Sequence, residues 1–277
     1  MNLIYTYLKS LRPHQWIKNF LIFIPLLAAH QINFEILKSA ILMFVSFSLV
    51  ASSVYIFNDI IDIKADKSHP KKRFRPIPSG KISTFKGKLL AIMLLIIGLL
   101  IGSIINELYI YILVSYFIIS NFYSLIIKKI IIFDICTLAI LYTIRIISGG
   151  VVLNIELSLW LLVFSLFFFF SLAAIKRQAE LVDLIKRKKL RSLNRGYNIS
   201  DLPVIAMSGL GSGYISVLVM AFYINSPEVI KLYSQPLALW GICIVLLFWI
   251  TKISLITQRG DMYYDPIVFA VKDFISQ

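Results

Sequence analysis

"NDIIDIKADKSHPKKRFRPIPSG", residues 58–80, sets three aspartates and then five basic residues inside a chain otherwise dominated by Ile, Leu and Phe. Asp59, Asp62 and Asp66 follow one another at steps of three and four, the spacing that puts side chains on one stripe of an α-helix. Asn58 stands just ahead of them, four residues before Asp62. Like charges this close repel unless a cation compensates them. A few carboxylates completed by substrate phosphates are the usual setting of Mg2+. Lys71, Lys72, Arg73 and Arg75 come next, and Arg and Lys are the side chains that take remaining phosphate oxygens. Acids first and bases after therefore describe one ligand, a metal-bound diphosphate. The plainer alternative is a solvated helix end whose acids pair with Lys64, Lys67 and Lys71, with the basic run a topology signal on anionic lipid. The stretch lacks the glycine and closing glutamate of a calcium-binding EF-hand loop.

The surroundings decide the class. Of 277 residues, 59% are hydrophobic and only 15% charged, the composition of an integral membrane protein. A helix needs about 20 apolar residues to cross a bilayer. Runs of that order lie at 19–34, 39–57, 89–105, 108–127, 130–153, 157–175, 203–224 and 235–257. They predict eight spans, with a ninth, truncated or interfacial, beginning near Asp265 in "DPIVFAVKDFISQ". Cys136 and Cys243 lie in apolar runs and suit neither a metal site nor a disulfide framework. No cleavable signal peptide is expected at the N-terminus.

The 28 Lys and Arg residues orient the chain: three precede the first run, nine fall in 58–88, two at 128–129, eight in 176–195 and three at Lys252, Arg259 and Lys272. Only Lys38 and Lys231 lie in the opposite loops, and Arg145 lies inside a run. The positive-inside bias thus makes the N-terminus and long loops cytoplasmic. The net charge of +14 is topological signal and anionic-lipid contact rather than a nucleic-acid footprint. The expectation is one polytopic membrane domain, 1–277, with motif loops at about 58–88 and 176–202.

Further polar groups gather at the cytoplasmic ends of the runs. "AAIKRQAELVD" brings Lys176, Arg177, Glu180 and Asp183 out of the sixth run at helical spacings; a salt-bridged helix face accounts for them as well as a site does. Tyr123 and Lys128 can face a cytoplasmic cavity, and Asp134 sits just inside the fifth run, where charge is costly and turns to a polar interior. Arg145 lies eleven residues beyond Asp134 on nearly the same face, ~16 Å deeper, which suits an internal structural ion pair at least as well as a substrate contact. Trp16 reads as an interface anchor, and Lys18 reaches either lipid headgroups or a bound phosphate. The three histidines are scattered and pair with no nucleophile or metal.

At "NDIIDIKAD", "RPIPSG", "YSLIIKK" and the loop after the sixth run, the chain resembles the UbiA superfamily of membrane prenyltransferases. The similarity runs nearly the whole length in order. "LRPHQWIKN", "HPKKRFRPIPSG", "KRQAEL" and "DPIVFAVKD" resemble most closely its decaprenyl-phosphate phosphoribosyltransferase branch. The resemblance implies an all-α integral membrane protein, a bundle of eight to nine transmembrane helices around a cavity open to the cytoplasmic face. It implies Mg2+ on Asp59, Asp62 and Asp66. Substrate contacts would come from Lys18, Asn58, Lys71, Arg73, Arg75, Tyr123, Lys128, Asp134, Lys176, Arg177 and Glu180. The second motif, "KRQAELVD", carries fewer acids and more bases than in aromatic prenyltransferases, which puts a second metal in doubt.

The implied reaction transfers 5-phosphoribose from phosphoribosyl diphosphate (PRPP) to a polyprenyl phosphate, with diphosphate leaving. Two anionic substrates demand more cations than acids, which this chain supplies. The rival within the same fold is prenyl transfer from a polyprenyl diphosphate to an aromatic or other acceptor. A membrane transporter is the alternative of another class, against which stand short outer loops and no evident inverted repeat. Neither oligomeric state nor lipid length is legible.

Overall fold

A computed structural model describes residues 3–30, 33–68, 70–190, 195–233, 235–262, 266–267, 269 and 273. The helices are α1 Leu3–Leu11, α2 Ile24–Ala28, α3 Phe34–Ile61, α4 Ile63–Lys67, α5 Thr84–Ile105, α6 Glu107–Leu125, α7 Phe133–Val152, α8 Leu159–Lys186, α9 Leu202–Ile224, α10 Pro227–Leu232 and α11 Trp240–Arg259. Among the described residues seven helical segments are long and apolar enough to cross a membrane: α3, α5, α6, α7, α8, Ile199–Ile224 and Pro236–Arg259. The all-helical membrane architecture expected from composition is thus present.

The run 19–34 departs from expectation. It does not form one long helix: Pro13–Phe23 is a 3-10 helix and α2 spans only five residues. Pro25 at the start of α2 has no N–H to continue the ladder from the preceding turns. The proposed ninth span falls largely outside the described residues.

The chain divides into two compact units, Met1–Lys128 with Ile144–Glu156, and Lys129–Thr143 with Leu157–Gln277. In the first, α3 packs against α1, α5 and α6, and α5 against α6. Asn33 caps α3 by accepting from the Ile36 N–H, and Ser83 and Asn106 do the same for α5 and α6. Ile56, Ile77, Ile82, Ala91 and Leu94 form a buried cluster beside Leu11, Phe57 and Ile60. Ile77 and Ile82 belong to the loop after α4, so burial of their side chains nails that loop to α3 and α5. The turn at 77–80 closes through the Gly80 N–H on the Ile77 carbonyl, with Gly80 at φ +78°, a conformation only glycine takes without strain. Trp16, half-buried, donates its indole N–H to Ser52 on α3 (3.0 Å), so it ties the N-terminal segment to the bundle rather than serving only as a lipid anchor.

In the second unit α8 packs along α9, and α11 against both. Ile135, Ala173, Ala174, Leu181, Tyr197 and Ile205 make its buried cluster. Cys136 and Cys243 are both free thiols.

Close packing rests on small residues, and one of them supports a direct test. A Cβ at Gly149 on α7 would overlap the backbone carbonyl of Ile22. Gly149→Ala is therefore expected to cost about 1–3 kcal/mol of stability. Gly211→Ala on α9, where no atom lies within 4 Å of an added Cβ, is expected to be neutral or to gain up to about 1 kcal/mol. Thermal unfolding of both variants in one detergent measures the contrast.

Candidate functional site

The first unit gathers one charge cluster at the end of α3. That helix stops at Ile61, and Asp62, at φ −92° and ψ +11°, separates it from α4. The stripe expected from a continuous helix is therefore interrupted. Asp59 and Asp66, 1% and 3% exposed, turn to a common partner, while Asp62 turns to Lys128. Arg75 Nη1 lies 3.0 Å from Asp59 Oδ1 and 2.7 Å from Asp66 Oδ2. Arg12 also donates to Asp59 Oδ1, Lys72 Nζ stands 3.9 Å from Asp66 Oδ1, and Lys128 Nζ is 2.5 Å from Asp62 Oδ1. Arg75 is aimed by the loop described above: two residues beyond it, Ile77 is locked into the core.

Arg12 is the residue sequence reasoning left off the site. Its backbone is left-handed, φ +54° and ψ +57°, which costs an L-residue about 1–2 kcal/mol. The guanidinium, over the ring of Tyr55 at 5.5 Å, gains the Asp59 carboxylate in return. Burial pushes the Arg12 proton affinity below the usual arginine value, and Asp59 is the main force opposing that loss. The only hint in the sequence was a base followed by proline just before an apolar run.

Two carboxylate oxygens within 3.0 Å of a single nitrogen mark a point of convergent negative charge. Such a donor pair fits a hard divalent cation that keeps several water or phosphate ligands. Among the described residues no three His, Cys, Asp or Glu side chains gather as a metal cluster.

Other expected site residues are placed as follows. Lys18 is buried in the 3-10 segment, and Asn58 is half-buried, its carbonyl accepting the Asp62 N–H at 2.9 Å. Tyr123 is half-buried on α6. Lys71 is exposed, and Arg73 is exposed with its guanidinium over Phe74 at 4.7 Å, so Arg73 is not brought to the carboxylates. Arg145 is buried with Nε on Asn19 Oδ1 (2.9 Å) and Nη2 on the Tyr116 hydroxyl (3.0 Å), against the faces of Phe47 and Tyr116. Its role is to fasten α7 to its neighbours in the first unit, and Asp134 finds other partners.

Those partners form the cluster of the second unit. Asp134, fully buried, accepts from Arg177 Nη2 at 2.5 Å and from the Tyr197 hydroxyl at 2.6 Å, with Arg195 Nη1 at 3.5 Å. Glu180 accepts from Arg177 Nη1 and from Arg195 Nε, the latter at 3.0 Å. Burial and the bond to Asp134 hold the Tyr197 phenol protonated well above its usual range, so it remains a donor. Asp183 instead pairs with Arg187 along the helix, and Lys176 is half-buried. Arg195 and Tyr197 were not legible as site residues, because a loop position has no periodicity to reveal its partner.

The fold agrees with that of solved proteins. Over 96% of this chain and 99% of the other, the structure superposes with a TM-score of 0.70 on a UbiA homologue from Archaeoglobus fulgidus bound to GPP and Mg2+, at 17% identity. The nodulation protein NoeC of Azorhizobium caulinodans is 32% identical over 97% of this chain and 87% of its own length. The decaprenyl-phosphate phosphoribosyltransferase of Mycobacterium tuberculosis (strain H37Rv) is 36% identical over 65% of this chain and 61% of its own. Among curated relatives, one from Sinorhizobium fredii is matched over only 52% of its length. The model of the UbiA prenyltransferase family matches residues 19–261, and the chain accordingly belongs to that family.

Proposed function

We propose that the protein is a Mg2+-dependent transferase of the inner membrane face that moves 5-phosphoribose from PRPP to a polyprenyl phosphate, with release of diphosphate. The observation that carries this reading is the pair of buried carboxylates, Asp59 and Asp66, converging on one point and ringed by Arg12, Lys72 and Arg75. Similarity to the mycobacterial phosphoribosyltransferases supports the choice of substrates.

Asp59 and Asp66 would hold the ion, with Asp62 in support; when bound, Mg2+ neutralises charge on a diphosphate leaving group. Arg75 bridges both carboxylates. Arg75 and Lys72 border the two carboxylates and would meet anionic oxygens of the substrate, and Lys128 adds a buried ammonium. A phosphomonoester is largely ionised near neutral pH, so the lipid nucleophile needs no general base. Positioning and charge stabilisation supply the catalysis. The basic loops, by the positive-inside bias, support a cytoplasmic position for this chemistry.

Purified protein given labelled PRPP and a polyprenyl phosphate is expected to yield labelled lipid and diphosphate, both dependent on Mg2+. Absence of labelled lipid together with turnover of a polyprenyl diphosphate would establish the second reading, prenyl transfer, which the family name favours. Substrate-independent transport with no diphosphate release would refute both.

A further inference from the structure

Helix α1 is turned the wrong way for a helix in water. Ile4 and Leu8, like Tyr5 and Lys9, stand four residues apart and share its outer face, where Ile4, Tyr5 and Leu8 are 66%, 55% and 52% exposed. The side turned inward carries hydroxyls: Thr6 and Ser10 are buried, with Ser10 Oγ donating to the Tyr7 carbonyl at 2.6 Å. Water drives apolar side chains inward. A helix that turns three of them outward and two hydroxyls inward is built for apolar surroundings.

The position of α1 says what those surroundings are. It packs against α3, and Tyr7 and Leu11 share a cluster with Ile56, Phe57 and Ile60 of α3 and with Leu90 and Ala91 of α5. That is the end of α3 from which Asp59 projects. The first turns of α5 expose Phe85 and Leu89 together with Lys86 and Lys88. The apolar surface then continues along α5, a helix long enough to span a membrane, through Ile92, Met93 and Ile96. Lys9 is exposed on the outer face of α1. Apolar side chains at the acyl boundary with lysines at headgroup level are the pattern of a helix lying in an anionic membrane surface.

The other end of α1 leads into the carboxylate cluster. Ser52 Oγ on α3 donates to the Leu11 carbonyl at 3.0 Å, and Arg12 follows in its left-handed conformation with the guanidinium on Asp59. Such a backbone persists only where its surroundings over-determine it. We propose that α1 docks on anionic phospholipid of the adjoining leaflet, and that this seating holds Arg12 against Asp59. No part of this rests on the transfer reaction proposed above.

The test uses the full chain carrying Cys136→Ser and Cys243→Ser, in nanodiscs of phosphatidylcholine alone or mixed with phosphatidylglycerol. Labelling by a membrane-impermeant maleimide is timed at Leu8→Cys and at Ser68→Cys, an exposed position just after α4. Leu8→Cys is expected to label about tenfold more slowly than Ser68→Cys. Phosphatidylglycerol is expected to slow it by about a further fivefold, a response that Lys9→Gln removes. Ile4→Cys reports the same face should Leu8→Cys not fold. Coupling is reciprocal, so Arg12→Gln is expected to speed labelling of Leu8→Cys by about fivefold or more; should it not fold, Asp59→Asn severs the same pair. Labelling of Leu8→Cys within about twofold of Ser68→Cys would overturn the docking. Protection indifferent to phosphatidylglycerol would overturn the choice of lipid, and a disulfide-linked Leu8→Cys dimer would give the face to a second copy of the chain. A folded Arg12 variant that labels like its parent would sever α1 from the carboxylates.

Discussion

Asp59→Asn is expected to lower transfer by about a thousandfold, the largest effect on activity of any single change in this chain. The substitution keeps the shape of a side chain that is 1% exposed and removes its charge. Arg12 and Arg75 both lean on Asp59 Oδ1, so the variant leaves two cations with a neutral amide and the convergent pair with a single carboxylate. Stability falls as well, because breaking a buried pair from one side is costly, and the two effects must be separated. Thermal unfolding establishes that the variant is folded, and diphosphate release is then followed against Mg2+ concentration. Asp66→Asn, whose other oxygen faces Lys72 at 3.9 Å, is expected to show the same raised metal requirement. Activity within about fivefold of the parent at saturating metal would remove Asp59 from the machinery.

The largest effect on stability is expected at Asp134. Its replacement by alanine takes the inner carboxylate from Arg177 and Arg195 and the acceptor from Tyr197. Removing one partner of a buried pair costs about 3–5 kcal/mol, a large part of the 5–15 kcal/mol typical of a whole domain. Asp183→Ala is the control. That carboxylate is 49% exposed and pairs with Arg187 four residues on, so its loss is expected to cost about 1 kcal/mol or less. Denaturant unfolding of both variants measures the difference, and a near-neutral Asp134→Ala would contradict the ion pairs assigned to this buried carboxylate.

Asp134 also shows what periodicity leaves open. On α7 it shares a face with Arg145, which lies ~16 Å deeper, and spacing names a partner for neither. In the structure Arg145 is held by Asn19, Tyr116 and two ring faces, whereas Asp134 is held by Arg177, Arg195 and Tyr197. A helical face says which way a side chain points and nothing about what the neighbouring element presents there. The acidic stripe is a second instance. Steps of three and four assume an unbroken helix, yet the break at Asp62 sends that residue to Lys128 and leaves Asp59 and Asp66 to share Arg75.

The sequence by itself determined that this is a helical membrane protein, that its polar chemistry collects at the ends of particular helices, and that acids and bases there occur together. Apolar runs and charge placement carry that information locally, because the cost of burying charge in lipid acts on each segment separately. It could not determine that run 19–34 breaks into short helical pieces, that Arg12 rather than Arg73 reaches the carboxylates, or that Arg195 and Tyr197 close a ring around Asp134. Those outcomes depend on residues far apart in the chain meeting across packed elements, where a loop is aimed by the burial of Ile77 and Ile82 and an ion pair forms only if both partners arrive. Local pattern sets where charge is tolerated; tertiary packing alone selects which charge is its partner.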